Sequence, residues 1–556
     1  MPPKTPKNSE KNVQKPAKNS TLSGKNVQKN GKFHLTKAAF LSVFDKRGIE
    51  KIATVLSQNG YHLLSTGGTK TYLQEKGFEV TESSEITGFG ELLGGRVKSL
   101  HPTIFAGILA EREKADDPDY AMPELLIDTV VVNLYPFEKE RDEQNFDRGS
   151  DPHHLLHFID IGGSALIRAA AKNYPSVNVL CDASQYDGFV ENLNAGNGET
   201  SEAFRKQLAV EAFQRSVSYD AAIASFLSSG ATQAELPERA TLPLVKIQNL
   251  RYGENPYQQA ALYGCNTTAV DFEYLHGKEL SFNNILDMEA AWRISCEFEE
   301  IAACAVIKHN NPCGVATSLK GIADAYALAF AADPLSAFGG VVATNRPIDS
   351  ATAQAMKEVF LEVIIAPDFE PDAMEILTQK KNLRLIRRAL PSDTLRLQTD
   401  IKQVNDALFL IQRAGADETV SIDKRLQQEL SSIPTNAKPT EQQLQDLVFA
   451  WKVVKHVKSN AIVVAKNGCT LGIGGGQTSR IAAVEFALKH ACDEAKDAVL
   501  ASDGFFPATD NIQAAGLAKI AAIIQPGGSI KDSDVITACN EHNIAMVMTG
   551  LREFRH

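Results

Sequence analysis

Ala39-Phe40-Leu41-Ser42-Val43-Phe44 is a short apolar run, and the chain changes period immediately after it. Ile49, Ile52, Ala53 and Leu56 recur at helical spacing, and Asn59-Gly60 closes that helix. Tyr61 to Leu64 is a second apolar run. Ser65-Thr66-Gly67-Gly68-Thr69 then leads into a helix through Leu73, and Phe78-Glu79-Val80 starts a third strand. Successive strand–helix–strand crossovers require a parallel sheet with helices on its faces, so this region reads as α/β.

The turns of such a sheet carry its chemistry. In Ser65 to Thr69 the glycines let the backbone approach an anion, free N–H groups at the helix start point at it, and the hydroxyls add donors. Lys46 follows the first strand on the same expected edge. These residues suit a phosphate, although an ordinary strand-to-helix turn shares their composition, and no GxxxxGK[ST] is present. Leu93-Gly94-Gly95-Arg96-Val97-Lys98-Ser99-Leu100-His101 gathers three bases with only Glu91 nearby, which fits an anionic ligand. Thr129 to Leu134 is a buried strand ending in Tyr135-Pro136. Asp160-Ile161-Gly162-Gly163 opens a helix carrying Arg168 and Lys172, and a carboxylate is favoured at that N-terminus. These polar clusters, each at a strand end or glycine turn, point to one site.

Residues 186–230 read as helices, and Pro237 and Pro243 mark a boundary. Beyond it, Arg251-Tyr252-Gly253 begins a polar turn, and Asn284 opens a helix through Trp292. Ala303 to Ile307 is a buried run ending in Lys308-His309, and Asn310-Asn311-Pro312-Cys313-Gly314 follows as a dense set of turn residues. Phe338-Gly339-Gly340 precedes the strand Val341 to Ala343, and Glu362 enters another strand through Ala366. Thr440 to Gln443 is a capping box for a helix with Leu444, Leu447, Val448 and Trp451 on one face. A strand from Ala461 to Ala465 then ends in Lys466-Asn467-Gly468, Gly472 to Arg480 opens a helix, and Asp503-Gly504-Phe505-Phe506 leads to Asp510. The pattern around Lys308 thus returns in outline, as two similar halves would require.

Composition bounds the rest. A chain of 556 residues with 44% hydrophobic and 22% charged residues is ordinary for a globular protein of several domains. A net charge of −11 argues against nucleic acid as a partner. No apolar run approaches the ~18–20 residues of a membrane span. Eight scattered cysteines without a CxxC pair fit a reducing, cytoplasmic setting. Residues 1–37 hold nine lysines and one acid, Glu10, and read as a disordered basic tail. Two tempting motifs fail. G-x-G-x-x-G breaks at Gln477, and the zinc-deaminase pattern meets Asn311 where it needs Glu and Ala316 where it needs Cys, so no metal ligands are expected. Cys313 has no evident base and reads as small packing.

Taken in order, Val43-Phe44-Asp45-Lys46, Ser65 to Thr69, Leu93 to Lys98, Asn133-Leu134-Tyr135-Pro136-Phe137, Asp160 to Gly163 and Arg168 to Asn173 resemble the inosine monophosphate (IMP) cyclohydrolase domain. Arg251-Tyr252-Gly253, Lys308-His309, Ser336 to Gly340, Ala465 to Gly468 and Ser502 to Pro507 resemble its transformylase partner. From residue 38 onward the chain is similar to the bifunctional purine-biosynthesis family.

That resemblance implies a methylglyoxal-synthase-like parallel-sheet domain over 38–240 and a transformylase over 241–556. The latter would comprise two cytidine-deaminase-like α/β subdomains, about 241–370 and 440–556, with a connecting segment 371–439. It implies formyl transfer from 10-formyltetrahydrofolate to aminoimidazole carboxamide ribotide (AICAR), then dehydrative closure of the product (FAICAR) to IMP. The folate is a cosubstrate, no tightly bound cofactor is expected, a monovalent cation is allowed, and a cytoplasmic homodimer with transformylase sites at its interface is implied. Lys308, His309 and Asn467 would catalyse transfer, with the choice of proton carrier between Lys308 and His309 open. Lys98, Tyr135, Asp160 and Lys172 would catalyse closure. Ser42, Lys46, Ser65, Thr66, Gly67, Gly68, Thr69, Arg96, Ser99, Asn133, Gly162 and Gly163 would bind substrate in the first domain. Arg251, Tyr252, Asn284, Phe338, Gly339, Glu362, Lys466, Arg480, Phe505, Phe506 and Asp510 would do so in the second. Glu553 stands where a base is expected and receives no role, and Ser99 replaces the threonine of some relatives. A non-catalytic nucleotide sensor, or an enzyme with one degraded domain, would lack one polar set, and neither set is missing.

Overall fold

The computed structural model describes residues 36–143, 152–228, 236–265, 271–391, 399–413 and 433–556. Apart from its last two residues, the expected basic tail lies outside them. The chain forms two compact units, Met1–Ser228 and Ser229–His556.

In the first unit β1 (Thr36–Val43), β2 (His62–Ser65), β3 (Thr81–Glu82), β4 (Leu125–Asn133) and β5 (Asn178–Leu180) form a parallel sheet ordered β3-β2-β1-β4-β5. The helices Ile49–Gln58 and Gly67–Glu75 are the two expected crossovers. Phe40, Leu41, Val130 and Val131 are fully buried, because helices cover both faces of a parallel sheet. β3 is shorter and later than its apolar start suggested. Pairing begins at Thr81 opposite Leu64, while Val80 turns into the core. The strand order runs outward from β1 to β3 and then returns to β4 beside β1. That reversal opens a crevice at the carboxyl ends of β1 and β4.

The second unit is built on an eleven-stranded sheet. Its strands are β8 (Glu273–His276), β9 (Ala302–Lys308), β10 (Asn311–Ser318), β11 (Val341–Thr344), β12 (Val363–Ala366), β13 (Arg384–Arg387), β16 (Ile462–Lys466), β17 (Cys469–Gly474), β18 (Val499–Ser502), β19 (Ala522–Gln525) and β20 (Ala545–Met548). They are ordered β20-β19-β18-β16-β17-β10-β9-β11-β12-β13-β8. Two hairpins stand apart, β6 (Leu244–Leu250) with β7 (Ala260–Cys265) and β14 (Thr399–Gln403) with β15 (Phe409–Arg413).

The large sheet is two copies of one arrangement, meeting where β10 pairs antiparallel with β17. Each copy runs helix, hairpin, then three alternations of helix and strand. One constant numbering offset maps Lys308 onto Lys466, Gly314 onto Gly472, Ala329 onto Ala487 and Asn345 onto Asp503. The first copy continues to Arg387, past the boundary near 370. The arginines at both ends of β13 hide buried Leu385 and Ile386 from a reading by composition.

Two readings are corrected. Asn311 to Gly314 lie in β10, so the first turn is His309-Asn310, and Gly472 to Gly474 lie in β17 after the Asn467-Gly468 turn, with the helix opening only at Arg480. The glycines that suggested loops have another purpose. A Cβ on Gly314 would sit 2.0 Å from the Ala329 carbonyl oxygen, and one on Gly472 2.0 Å from that of Ala487. Each glycine lets a helix lie directly against its strand. Gly314→Ala and Gly472→Ala should therefore each lose about 1–3 kcal/mol in urea unfolding. A loss below about 0.5 kcal/mol, the range of ordinary surface changes, would reject this packing.

Candidate active sites

In the first unit the crevice gathers most of the expected residues. Thr69 Oγ1 bonds both the N–H and the carbonyl of Val43, each at 3.0 Å, and Ser65 Oγ donates to the Leu41 carbonyl at 2.7 Å. These two hydroxyls therefore tie the loop to β1. Ser42 Oγ lies 3.4 Å from Thr66 Oγ1 at the mouth. Asn133 accepts from the N–H groups of Phe44 and Asp45, at 2.6 and 3.0 Å, so it shapes the turn after β1. Lys46 reaches the Phe44 carbonyl at 3.4 Å.

Thr66 is the N-cap and Gly67, at φ 48°, opens the helix Gly67–Glu75. The Lys98 ammonium lies 3.6 Å from where a Gly67 Cβ would be. A cation at the positive end of a helix is unfavourable unless an anion joins them. That juxtaposition is the strongest sign of a ligand site here.

Asp160 is the N-cap of the helix Ile161–Lys172 and accepts from Gly163 N–H at 2.6 Å. Burial raises its pKa, against the lowering effects of Gly163 N–H and Lys98. Burial also raises the pKa of Tyr135, and the charges of Asp160 and Glu91 add to it. A Cβ on Gly162 would come 2.8 Å from Ser99 Oγ, so glycine is what allows the Ser99 loop to close on this helix. Arg96 reaches His157 Nδ1 at 3.3 Å. Lys172 is not in this cluster. It is exposed in the last turn of the helix that Asp160 caps, about 18 Å along the axis at 1.5 Å per residue. Sequence order had suggested one set, but a straight helix separates its two ends.

In the second unit Lys308 ends β9 and donates to the Phe338 carbonyl at 3.0 Å, while His309 is exposed on the turn. Phe338 is 57% exposed and packs against Phe360 with ring centroids 5.4 Å apart. Gly339, at φ 75°, carries the chain on towards β11. Arg251 lies over the Tyr252 ring and donates to its hydroxyl at 2.6 Å. Their turn is joined to the helix Phe282–Ser295 by Asn283, which donates to the Glu254 carbonyl at 3.3 Å.

Several expected ligand groups already have partners. Arg480 is buried and paired with the fully buried Asp503, so it is not a free phosphate group. Phe506 is core, only 1% exposed, whereas Phe505 is exposed. Asn284 completes the capping box of its helix with Ser281. Glu362 pairs with Arg384 at 2.7 Å. Asp510 is exposed in the first turn of the helix Asp510–Leu517.

Asn467 does not meet His309 within the chain. β10 and β17 are antiparallel with Ala316 opposite Cys469, so the His309 turn is level with Gly475 and the Asn467 turn with Thr317. About eight strand residues, or roughly 25 Å, separate them. Lys466, which donates to the Lys496 carbonyl at 2.8 Å, lies at the Asn467 end.

Sequence reasoning missed two carboxylates. Asp287 Oδ1 accepts from Asn310 N–H at 2.6 Å. Asp446 accepts from Asn467 and Gly468 N–H at 2.9 and 2.8 Å. The available signal was an acid beside the buried face of each preceding helix, Asp446 next to Leu447 and Asp287 next to Met288. Among the described residues no group of three or more His, Cys, Asp or Glu side chains could hold a metal ion.

Two family models match the chain, and the second begins within the first unit. Residues 48–162 match the MGS-like domain, and residues 170–490 match the AICARFT/IMPCHase bienzyme family. The bifunctional purine biosynthesis protein PurH of Caldicellulosiruptor bescii is 46% identical over 530 residues, covering 94% of this chain and 100% of its own. Proteins of that name from Clostridium perfringens and Aquifex aeolicus are 46% and 45% identical, covering 94% and 93% of this chain and all of theirs. The chain belongs to the AICARFT/IMPCHase bienzyme family.

Proposed function

We propose that this chain carries out both reactions of its family: formyl transfer from 10-formyltetrahydrofolate to AICAR, and closure of FAICAR to IMP. The observation that carries the reading is the near full-length likeness to relatives named for that bifunctional role.

In transfer, the AICAR amine attacks the formyl carbon, the bond from that carbon to folate N10 breaks, the amine loses a proton and N10 gains one. His309, exposed on its turn, takes the first proton. Lys308, fixed by the Phe338 carbonyl, stabilises developing charge or returns a proton to N10. The exposed Phe338 and Phe360 rings offer the folate an apolar surface. Asn467 holds the formyl oxygen. Since Asn467 and Lys466 lie roughly 25 Å from His309 in one chain, a complete site draws them from a second copy. This separation supports the homodimer.

In closure, the carboxamide nitrogen attacks the formyl carbon and the formyl oxygen departs as water. The reaction is intramolecular, so orientation supplies much of the rate. Lys98 and the helix N-terminus at Gly67 stabilise the oxyanion or hold the phosphate beside it. Asp160 and Tyr135 move the protons, and the raised pKa of Asp160 suits a carboxyl that exchanges one. No helix among the described residues is long and apolar enough to cross a membrane. The free thiols among the described residues fit a cytoplasmic setting.

His309→Ala should abolish transfer and leave closure of supplied FAICAR intact, followed as IMP formed from each substrate. Equal loss of both in a folded variant would reject the division of labour. Asp160→Asn keeps the helix cap but cannot exchange a proton. It should slow closure by about 10²–10⁴-fold and spare transfer; unchanged single-turnover closure would remove Asp160 from the mechanism. Mixing refolded His309→Ala and Asn467→Ala chains should restore roughly a quarter of parental transfer, because half the dimers are hybrid and one of their two sites is whole. No recovery despite subunit exchange would mean that each site is built within one chain.

A further inference from the structure

His309 and Asn310 adopt left-handed backbone angles, φ 54° and 59°, and neither is glycine. A two-residue hairpin turn with both φ values positive normally uses Asn-Gly or Asp-Gly. The duplicated turn has that composition, Asn467 at φ 52° and Gly468 at φ 68°. Histidine in the equivalent place is strained, and strain of this kind persists only where surrounding groups enforce it.

The enforcing group is visible in both copies. Asp287, one helix before β9, accepts from Asn310 N–H at 2.6 Å. Asp446, on the equivalent helix before β16, accepts from both turn N–H groups at 2.9 and 2.8 Å. On its other side the His309 carbonyl accepts from Asn311 Nδ2 at 3.1 Å. The first turn is thus gripped from two directions, and the imidazole is carried on a rigid hairpin tip rather than a flexible loop. Asp287 touches the backbone of the turn and not the imidazole, so its influence passes through His309.

We propose that Asp287 is a positioning residue for formyl transfer: its carboxylate holds the left-handed turn that aims His309, as Asp446 holds the turn that aims Asn467. This rests on the transfer reading above. The geometry makes the effect one of orientation, and orientation acts on the chemical step more than on binding.

The test compares the parent, Asp287→Ala, Asp287→Asn and the double variant Asp287→Ala/Asn310→Gly as full chains. Asp287→Ala should lower kcat for transfer at least about tenfold, leave KM for AICAR and folate within about twofold, and spare closure. Glycine at 310 relaxes the turn without a carboxylate, so the double variant should recover most of that kcat. Asp287→Asn retains an acceptor of the same size and should exceed the alanine variant, which keeps the test informative if alanine fails to fold. An unchanged kcat in Asp287→Ala, or a loss that glycine does not repair, would overturn the proposal. Hydrogen exchange at the Asn310 amide gives a readout without turnover. It should be at least about tenfold faster in Asp287→Ala, and equal rates would overturn the proposal even in an inactive chain. A parent that binds substrates without transferring formyl would instead sink the transfer reading.

Discussion

The second unit depends on a constraint that recurs twice: a strand must reverse within two residues against its neighbour in the middle of a wide sheet. A reversal that tight needs left-handed backbone, and its N–H groups face inward with no ladder partner. Each copy answers with a carboxylate from the preceding helix, Asp287 or Asp446. The same bond fixes helix, hairpin and sheet relative to one another. The glycines at 314 and 472 complete the arrangement by letting the following helix lie against the hairpin's second strand. The side chain at the tip of each turn, His309 or Asn467, is therefore presented by elements that are themselves packed, as precise chemistry requires.

The first unit meets a different constraint. Its crevice follows from the strand order, which fixes where ligands bind before any side chain is chosen. The hydroxyls of Ser65 and Thr69 are occupied by backbone atoms of β1, and Asn133 by the turn after it. Much of the expected phosphate loop is thus a scaffold, and the groups left for an anion include the helix N-terminus and Lys98, with the Ser42 and Thr66 hydroxyls at the mouth. Electrostatics supports this division, since a cation set against the positive end of a helix favours an anion between them.

The parallel sheet was legible because crossovers alternate two hydrophobic periods, and a doubly covered strand has little choice but to be apolar. The duplication was legible only in outline, because it lies in geometry: Gly314 and Gly472 share a role, while most equivalent residues differ. The turn positions were misread for a physical reason. Pro312, Gly314 and Gly472 look like turn residues in one dimension, yet in a central hairpin glycine marks close helix approach. Long-range facts were out of reach. Nothing local in Asn467 says that it sits a sheet's length from His309, and nothing local in Lys172 says that a helix carries it away from Asp160.

Arg480 illustrates how one position can serve two accounts. In the first copy Asn345 accepts from Ala303 N–H at 2.8 Å and donates to the Ile301 carbonyl at 2.9 Å, satisfying a buried strand end with a neutral amide. In the second copy Asp503 accepts from Ala461 N–H at 3.0 Å, and its buried charge then needs a partner. Arg480 supplies it, donates also to the Ala461 carbonyl at 3.2 Å, and is aided by the Ser459 hydroxyl on Asp503. Removing the guanidinium would strand a buried carboxylate, a defect of about 3–5 kcal/mol. The arginine is therefore needed at its position whether or not a nucleotide ever reaches it. Its place beside a glycine turn and a strand end, which made it resemble a phosphate ligand, follows equally from the aspartate that stands where the first copy has an asparagine.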